Sequence, residues 1–226
     1  MPVINDVDVL REVERSRVPP QIARHDRLVA LREQALAMVG ELGLAHARAC
    51  WRIVALQGEP GRIGRLCLEG RHLVAPWLVP ASGQLTAVAC AVATLGDSLE
   101  RQVSALFAGR RVSLAVALDS VGNELLFAVS RRVQDRMLAA ARKQGLTVAG
   151  ELRAGDPGLA LEAQQTVLDL AGAIEIGLTL TRTSMMSPTK STSIVQGVGL
   201  ALPVQTWSRC DNCHSRERCP FARDAR

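Results

Sequence analysis

The chain has 226 residues, of which 48% are hydrophobic and 22% are charged. This length supports one large domain or two small ones with a hydrophobic core, and the composition excludes an intrinsically disordered chain. No stretch of 18 apolar residues runs without a charged residue, so we expect no membrane-spanning segment. The acidic, amphipathic start MPVINDVDVLREVER is not typical of a signal peptide. We therefore expect a cytoplasmic protein.

The formal net charge is +5, but the basic residues are scattered along the chain. Arginine supplies all of them except two lysines, and the aromatic residues amount to three Phe and three Trp with no Tyr. Scattered charges are typical of solvated helix faces, and so few aromatic side chains offer no platform on which nucleic-acid bases would stack. We expect no nucleic-acid partner.

Hydrophobic periodicity and turn residues divide the chain into helices and strands. Helices are predicted at 5–17, 22–43, 97–107, 112–144 and 161–170. Strands are predicted at 50–56, 65–70, 84–95 and 146–152, followed by a β-rich region from 174 to 202. The 65–70 segment is the expected partner of the 50–56 strand, and Asp97 with Glu100 resembles a helix start. Irregular alternation of helices and strands predicts an α+β fold.

Six cysteines divide into two groups. Cys50, Cys67 and Cys90 lie in apolar strand patterns, where cysteine packs as a small hydrophobic residue. The other three lie close together in the polar stretch RCDNCHSRERCPF, at positions Cys210, Cys213 and Cys219. Three thiolates on a short segment suit a soft metal, and a reducing cytosol disfavours a structural disulfide.

The spacing of these three cysteines does not decide which metal they bind. An iron–sulfur cluster is the favoured interpretation, zinc is the alternative, and a metal-free redox dithiol is the third. Both metal centres usually take four ligands. The fourth is open between His214, one of the upstream cysteines and an exogenous ligand.

The segment GLTLTRTSMMSPTKSTSIVQGVG, residues 177–199, is the most unusual in the chain. It offers hydroxyl groups, an adaptable apolar pair in Met185 and Met186, and Lys190 as a point charge for an anionic group. Gly197 and Gly199 permit a close backbone approach. A plainer interpretation is a pair of strands on either side of a proline turn, with methionine in the core.

This segment resembles the activation (reactivation) domain of cobalamin-dependent methionine synthase. The residues that match the family pattern are Leu180, Thr181, Ser184, Met185, Met186, Pro188, Lys190, Ser191, Ser193, Gly197 and Gly199. Three further blocks are similar to the same family: Ala93–Glu100, Ala117–Gly122 and the patch Gln134-Asp135-Arg136. The resemblance covers roughly residues 80–200, and a cysteine cluster that ends in Cys-Pro-Phe is similar to that of stand-alone members.

The resemblance implies a single C-shaped α+β domain with a twisted antiparallel sheet flanked by helices. It divides the chain into an N-terminal region at 1–80, an activation-like core at 81–203 and a cysteine-rich tail at 204–226. The family domain closes over the cobalamin-binding module once cobalamin has been oxidised to cob(II)alamin. It binds S-adenosylmethionine, so that one-electron reduction is trapped by methyl transfer to cobalamin.

The family binds S-adenosylmethionine through an R-x-x-x-G-Y loop, whose counterparts here are Arg153, Pro157 and Gly158. The spacing is one residue longer than in the family, and Leu159 stands where the family has tyrosine. Asp135 matches an acidic family position that faces the ligand cleft, although a solvated helix residue is an equal interpretation. Asp156 and Pro157 also fit a helix N-cap followed by proline.

No D-x-H-x-x-G cobalamin motif occurs in the chain, and it is too short to hold the homocysteine and folate modules. We therefore expect action in trans on the cobalamin-binding module of a methionine synthase or related corrinoid protein. An iron–sulfur cluster would relay an electron from a donor protein, since such clusters reach low potentials. The alternative is a zinc-stabilised docking partner without a redox role. The glycine-rich loop of a free-standing methyltransferase and the G-x-S-x-G of a hydrolase are both absent.

Overall fold

A computed structural model describes residues 2–5, 8–203 and 216–218. Its strands are β1 Val3–Ile4, β2 Arg48–Ala55, β3 Arg65–Leu68, β4 Arg71–Val74, β5 Gln84–Thr94, β6 Thr147–Leu152, β7 Thr179–Leu180, β8 Met186–Ser187 and β9 Ser191–Leu200. Its α-helices are α1 Leu10–Glu14, α2 Asp26–Leu42, α3 Ser98–Ala108, α4 Val112–Lys143 and α5 Gln164–Ala171.

Five of these strands form one antiparallel sheet in the order β1-β2-β5-β9-β6. The first 80 residues supply β1 and β2, so they are hydrogen-bonded into the same sheet as the later strands. The long strands β5 and β9 lie at its centre, paired from Gln84 opposite Leu200 to Thr94 opposite Ser191. Helices flank this sheet, which confirms the predicted α+β class.

The alternation of side chains along β5 explains why helices cover both faces of the sheet. Alanines at 87, 89, 91 and 93 face the layer that contains α2, α3 and α4. Val88, Cys90 and Val92 face the layer that contains α5 and the β3–β4 hairpin. Small side chains on one face let a long helix approach closely, and larger ones on the other face fill the space under a shorter helix.

Helix α4 is the longest element that the structure describes. Within the described residues it is the one helix long and apolar enough to qualify as a membrane span, by length and composition alone. Twelve of its residues are buried. The core helix of a soluble protein meets the same criterion, so α4 is weak evidence for a membrane.

Two local predictions were wrong, each because a longer-range contact prevails. The 65–70 segment does not pair with β2 but forms a hairpin with β4, whose turn is Glu69-Gly70. An isolated bridge from Leu56 to Leu68 links this segment to the end of the expected partner. Asp97 is the N-cap residue of α3, as the predicted helix start requires, although its side chain makes no capping bond and pairs with Arg101. The predicted 5–17 helix is reduced to α1, which strand β1 precedes.

Candidate functional site

Lys190 lies just before β9, with its side chain turned onto α4. Its ammonium Nζ is 2.7 Å from Oδ1 of Asp119 and 2.8 Å from Oδ1 of Asn123. These two residues are four positions apart on α4 and therefore lie on one side of the helix. Lys190 is 8% exposed. The cation is thus enclosed by its own protein partners, and its predicted role toward an anionic group stays a prediction.

Three sequence blocks that the resemblance singled out meet around Lys190. The Leu95 amide donates to the Lys190 carbonyl at 2.9 Å, and the Thr189 amide donates to Oε2 of Glu100 at 2.7 Å. On the other face of the sheet the Ser191 hydroxyl lies 2.8 Å from Oγ1 of Thr94. The blocks at 93–100, 117–122 and 180–191 therefore form one connected cluster, which we call the Lys190 cluster.

The segment before Lys190 folds as a small hairpin of β7 and β8. Its turn is closed by the Thr181 amide, which donates to the Met185 carbonyl at 2.8 Å, and by the Met185 amide, which donates to Oγ1 of Thr181 at 3.2 Å. Ser184 takes a left-handed conformation with φ of 59°. Met186 packs against the core, whereas Met185 is 55% exposed. Strands β8 and β9 lie on either side of Pro188, as the plainer interpretation expected.

Arg153 begins the loop that follows β6. Its amide donates to Oδ2 of Asp156 at 2.9 Å, and its Nη2 lies 3.2 Å from Oε1 of Glu151 and 3.4 Å from the Ser130 hydroxyl. The guanidinium carbon lies 5.8 Å from the centre of the Phe127 ring. Asp156 therefore stabilises the loop itself and does not cap a helix.

The far end of this loop rests on an indole ring. Gly158 has φ of 88°, and a side-chain carbon placed on it would lie 2.7 Å from Cγ of Trp77. Glycine is required there both by the backbone conformation and by the space. Gly155, in the same loop, has φ of 93° but no atom nearer than 3.7 Å to such a carbon. Gly158 and Trp77 together fix the course of the loop that carries Arg153.

One side of α4 serves both groups of residues. Asp119 and Asn123 contact Lys190, and Phe127 and Ser130 contact Arg153 further along the same helix. The rise of an α-helix separates Asp119 from Ser130 by about 16 Å. Asp135 is exposed, roughly 140° around the helix from Ser130. The structure therefore does not bring Asp135 to the other predicted site residues.

The upstream cysteines differ in their suitability as metal ligands. Burial raises the pKa of the Cys50 and Cys90 thiols to about 12, so both remain protonated at neutral pH. Cys67 is partly exposed, 3.2 Å from Oε1 of Gln57. Cys210, Cys213 and Cys219 lie outside the described residues. Among the residues that are described, no group of three or more His, Cys, Asp or Glu is placed to bind a metal ion.

Several residues of these clusters had no signal in the sequence. Asn123, Phe127 and Ser130 follow the ordinary helical pattern of α4, and Glu151 and Trp77 belong to no motif. Asn123, 67 residues from Lys190, and Phe127 and Ser130 are selected by contact with Lys190 or Arg153 across the fold. Trp77 is selected by its contact with Gly158. Helical spacing from Asp119, inside one of the resembling blocks, is the one hint that pointed to Asn123.

Comparison with known proteins gave one informative result. No protein-family model matches the chain, and no curated protein matches it. Among solved structures, the reactivation domain of MetH bound to AdoHcy superimposes with a TM-score of 0.66, over 96% of this chain and 85% of that one. The two sequences are 13% identical. The likeness therefore shows a shared fold, which is that of the MetH reactivation domain.

Proposed function

We propose that this protein supports the reactivation of a cobalamin-dependent methionine synthase, or a related corrinoid methyltransferase, in trans. The observation that carries the proposal is the Lys190 cluster, where three separately resembling blocks meet within a fold like that of the MetH reactivation domain. In this role the protein contacts the cobalamin-binding module of its partner and assists reductive methylation of cob(II)alamin.

The Lys190 cluster supports a positioning role for the β7–β8 hairpin. Because Asp119 and Asn123 hold Lys190, the chain from Pro188 to Ser191 is anchored to α4. In the hairpin that precedes it, Thr181 and Met185 are exposed and Ser184 is partly exposed. An exposed thioether adapts to an irregular apolar surface, and hydroxyl groups beside it contact polar atoms. These are properties suited to contact with a corrin ring bound on another protein.

The Arg153 loop supports binding of S-adenosylmethionine. A guanidinium group binds carboxylate well, and the carboxylate of Glu151 beside it suits an amino group or a hydroxyl. The residues present thus fit an amino-acid end of the ligand, although the family tyrosine is replaced by the buried Leu159. When bound, S-adenosylmethionine supplies the methyl group. Arg153, with Pro157 and Gly158 in its loop, would hold the ligand.

The cysteine-rich tail at 204–226 is proposed to bind an iron–sulfur cluster through Cys210, Cys213 and Cys219, and to relay an electron from a donor protein. Anaerobic purification followed by iron, sulfide and zinc analysis, with EPR after dithionite, tests this part. We expect iron with sulfide and a reduced-state signal, both lost in Cys213→Ser. Zinc alone would replace the electron relay with a non-redox docking role.

The ligand proposal is tested by calorimetric titration of the protein with AdoHcy, using two glycines of one loop as a matched pair. Gly158→Ala places a carbon against Trp77 and should weaken AdoHcy binding by at least about tenfold, because the loop must shift. Gly155→Ala carries a similar backbone strain without the clash and should change the affinity by less than about threefold. Unchanged affinity in both variants would show that the loop does not bind the ligand.

The activity itself is tested with a purified cobalamin-dependent methionine synthase held in the cob(II)alamin state. Added protein, with S-adenosylmethionine and a chemical reductant, should restore methylcobalamin, which is followed by its absorption spectrum. The same mixture without S-adenosylmethionine is the control. No restoration with any corrinoid methyltransferase tried would contradict the proposed function.

A further inference from the structure

The corner between α3 and α4 exposes an apolar patch with an arginine pair beside it. Phe107, Val112 and Val116 are 47%, 53% and 53% exposed. Arg110 and Arg111 lie between them in sequence and are also exposed. Within the described residues neither arginine makes an ion pair or a side-chain hydrogen bond. We call these five residues the α3–α4 corner.

Helical spacing places the corner on the same side of the molecule as the Lys190 cluster. Phe107 lies seven residues after Glu100 on α3, two turns along the same flank, and Glu100 accepts a hydrogen bond from Thr189. Val112 and Val116 precede Asp119 and Asn123 on one side of α4 at helical spacing. The apolar corner therefore continues into the polar cluster along one face of the helix pair.

Arg110 holds a backbone conformation that favours glycine. Its φ is 57°, and it lies where a helix commonly ends in glycine. The Arg110 amide donates to the Phe107 carbonyl at 3.0 Å, and the Arg111 amide donates to the Leu106 carbonyl at 2.9 Å. An arginine at such a position is strained compared with glycine. Backbone strain that a glycine would relieve is often found where the side chain is needed for function.

We propose that the α3–α4 corner is a docking surface for an acidic protein surface with an apolar centre, carried by the corrinoid partner. An aromatic residue among aliphatic ones, bordered by arginine, has the composition of a protein interface. The arginines without an ion pair would be matched by carboxylates on the surface of the partner. The proposal rests on the proposed function, because the corner continues into the Lys190 cluster and a partner seated on one reaches the other.

Two other occupants fit the corner less well. A second copy of this chain, related by a two-fold axis, would place the arginine pairs of the two corners against each other. An anionic membrane would attract these arginines but would meet the carboxylates of Glu100 and the half-exposed Asp119 on the same face. A protein partner can provide donors for those carboxylates, and a lipid surface cannot.

The test measures binding of the purified protein to the cobalamin-binding module of a methionine synthase that it reactivates, by calorimetry at two salt concentrations. We expect Phe107→Ala to weaken binding at least about tenfold. Arg110→Gly should weaken binding and its salt dependence while raising the denaturant midpoint, so the two readouts move in opposite directions. Arg142→Gln, an exposed arginine at the far end of α4, is the control and should leave the affinity unchanged.

The outcomes separate the two proposals. If the wild-type protein binds and reactivates the partner but Phe107→Ala and Arg110→Gly bind equally well, the docking proposal is overturned and the proposed function stands. If the wild-type protein neither binds nor reactivates any corrinoid module, both fall. Sedimentation of anionic vesicles with the wild-type protein but not with Arg110→Gly would assign the corner to lipid, and concentration-dependent dimerisation lost in Phe107→Ala would assign it to a second copy.

Discussion

Two ion pairs on α4, whose carboxylates are five residues apart, differ in their exposure to solvent. The pair of Arg32 with Glu124 is enclosed, with side chains 6% and 11% exposed, and Arg32 Nη2 also donates to the Val13 carbonyl at 3.0 Å. In the pair of Lys190 with Asp119 the lysine side chain is 11% exposed but the aspartate side chain is 47% exposed. The first pair ties α1 and α2 to α4, and the second leaves one partner in contact with solvent.

The contrast shows that an ion pair is informative about function mainly through its exposed partner. A fully enclosed pair specifies packing, and breaking it strands a charge in the core. A half-exposed pair still has a group that another molecule can reach. The free energy of unfolding should distinguish these two cases.

Replacing Glu124 with Gln should destabilise the protein most. Arg32 would remain buried without its carboxylate, and breaking one side of a buried pair costs about 3–5 kcal/mol. Glu12→Gln is the matched control, because Glu12 pairs with Arg131 and Arg132 while 34% exposed, and such pairs contribute less than about 1 kcal/mol. Urea unfolding measures both, and a similar loss in the two variants would refute the distinction.

Lys190→Met should have a smaller effect on stability. It keeps the apolar stem, and the freed Asp119 carboxylate is exposed enough to be hydrated, so we expect a loss of about 1–2 kcal/mol. Hydrogen exchange of the Leu95 amide, bonded to the Lys190 carbonyl, should become faster. The chain has one other lysine, Lys143, exposed at the end of α4, and Lys143→Met should change neither measurement.

Cys50 and Cys90 lie on the face of the sheet covered by α5 and the β3–β4 hairpin. The free energy of unfolding should depend on the ionisation of their thiols at alkaline pH. Burial holds the pKa of Cys50 and Cys90 at about 12 in the folded state, against about 8.5 in an unfolded chain. Their contribution to stability is complete below pH 8.5 and should be lost progressively as the pH rises toward 12, since only the unfolded chain releases these protons. Denaturant midpoints between pH 8 and 10.5 test the slope.

A chemical readout of the same burial uses iodoacetamide at pH 8 with peptide mass mapping. Cys67, partly exposed in the β3–β4 hairpin, should be alkylated, whereas Cys50 and Cys90 should remain unmodified until the protein unfolds. Rapid labelling of Cys90 in the folded protein would show that the α5 layer opens readily, which its complete burial does not lead us to expect.

The sequence predicted best those elements whose pattern is local. The continuous apolar run of β5 and the long periodic helix α4, ended near Gly145, were located within one or two residues. The β3–β4 hairpin was missed because an apolar pattern does not reveal which strand a segment pairs with. The two-residue turn after β3 favours pairing with β4 rather than with β2. Glu100 was predicted to act with Asp97 at the start of its own helix. Its carboxylate instead accepts a hydrogen bond from the Thr189 amide, 89 residues away.

The same distinction between local and distant contacts applies to the site. The motif around Lys190 was recognisable because its residues are consecutive, while Phe127 and Ser130 contact Arg153, and Trp77 contacts Gly158, only through the fold. For Asp135 the sequence predicted a site residue that the structure does not bring to the site. Matching an acidic position in a motif does not determine which side of the helix the residue lies on. A five-residue step from Ser130 is enough to place it on another side.

The position of β9 has a mechanical consequence. This strand is hydrogen-bonded on both sides, to β5 and to β6, and it begins one residue after Lys190. The β7–β8 hairpin is thus joined through residues 188–190 to a strand that is held on both sides. If a partner displaces the hairpin, either the chain between Thr181 and Thr189 changes conformation or β9 itself moves. Movement of β9 would alter the packing on both faces of the sheet.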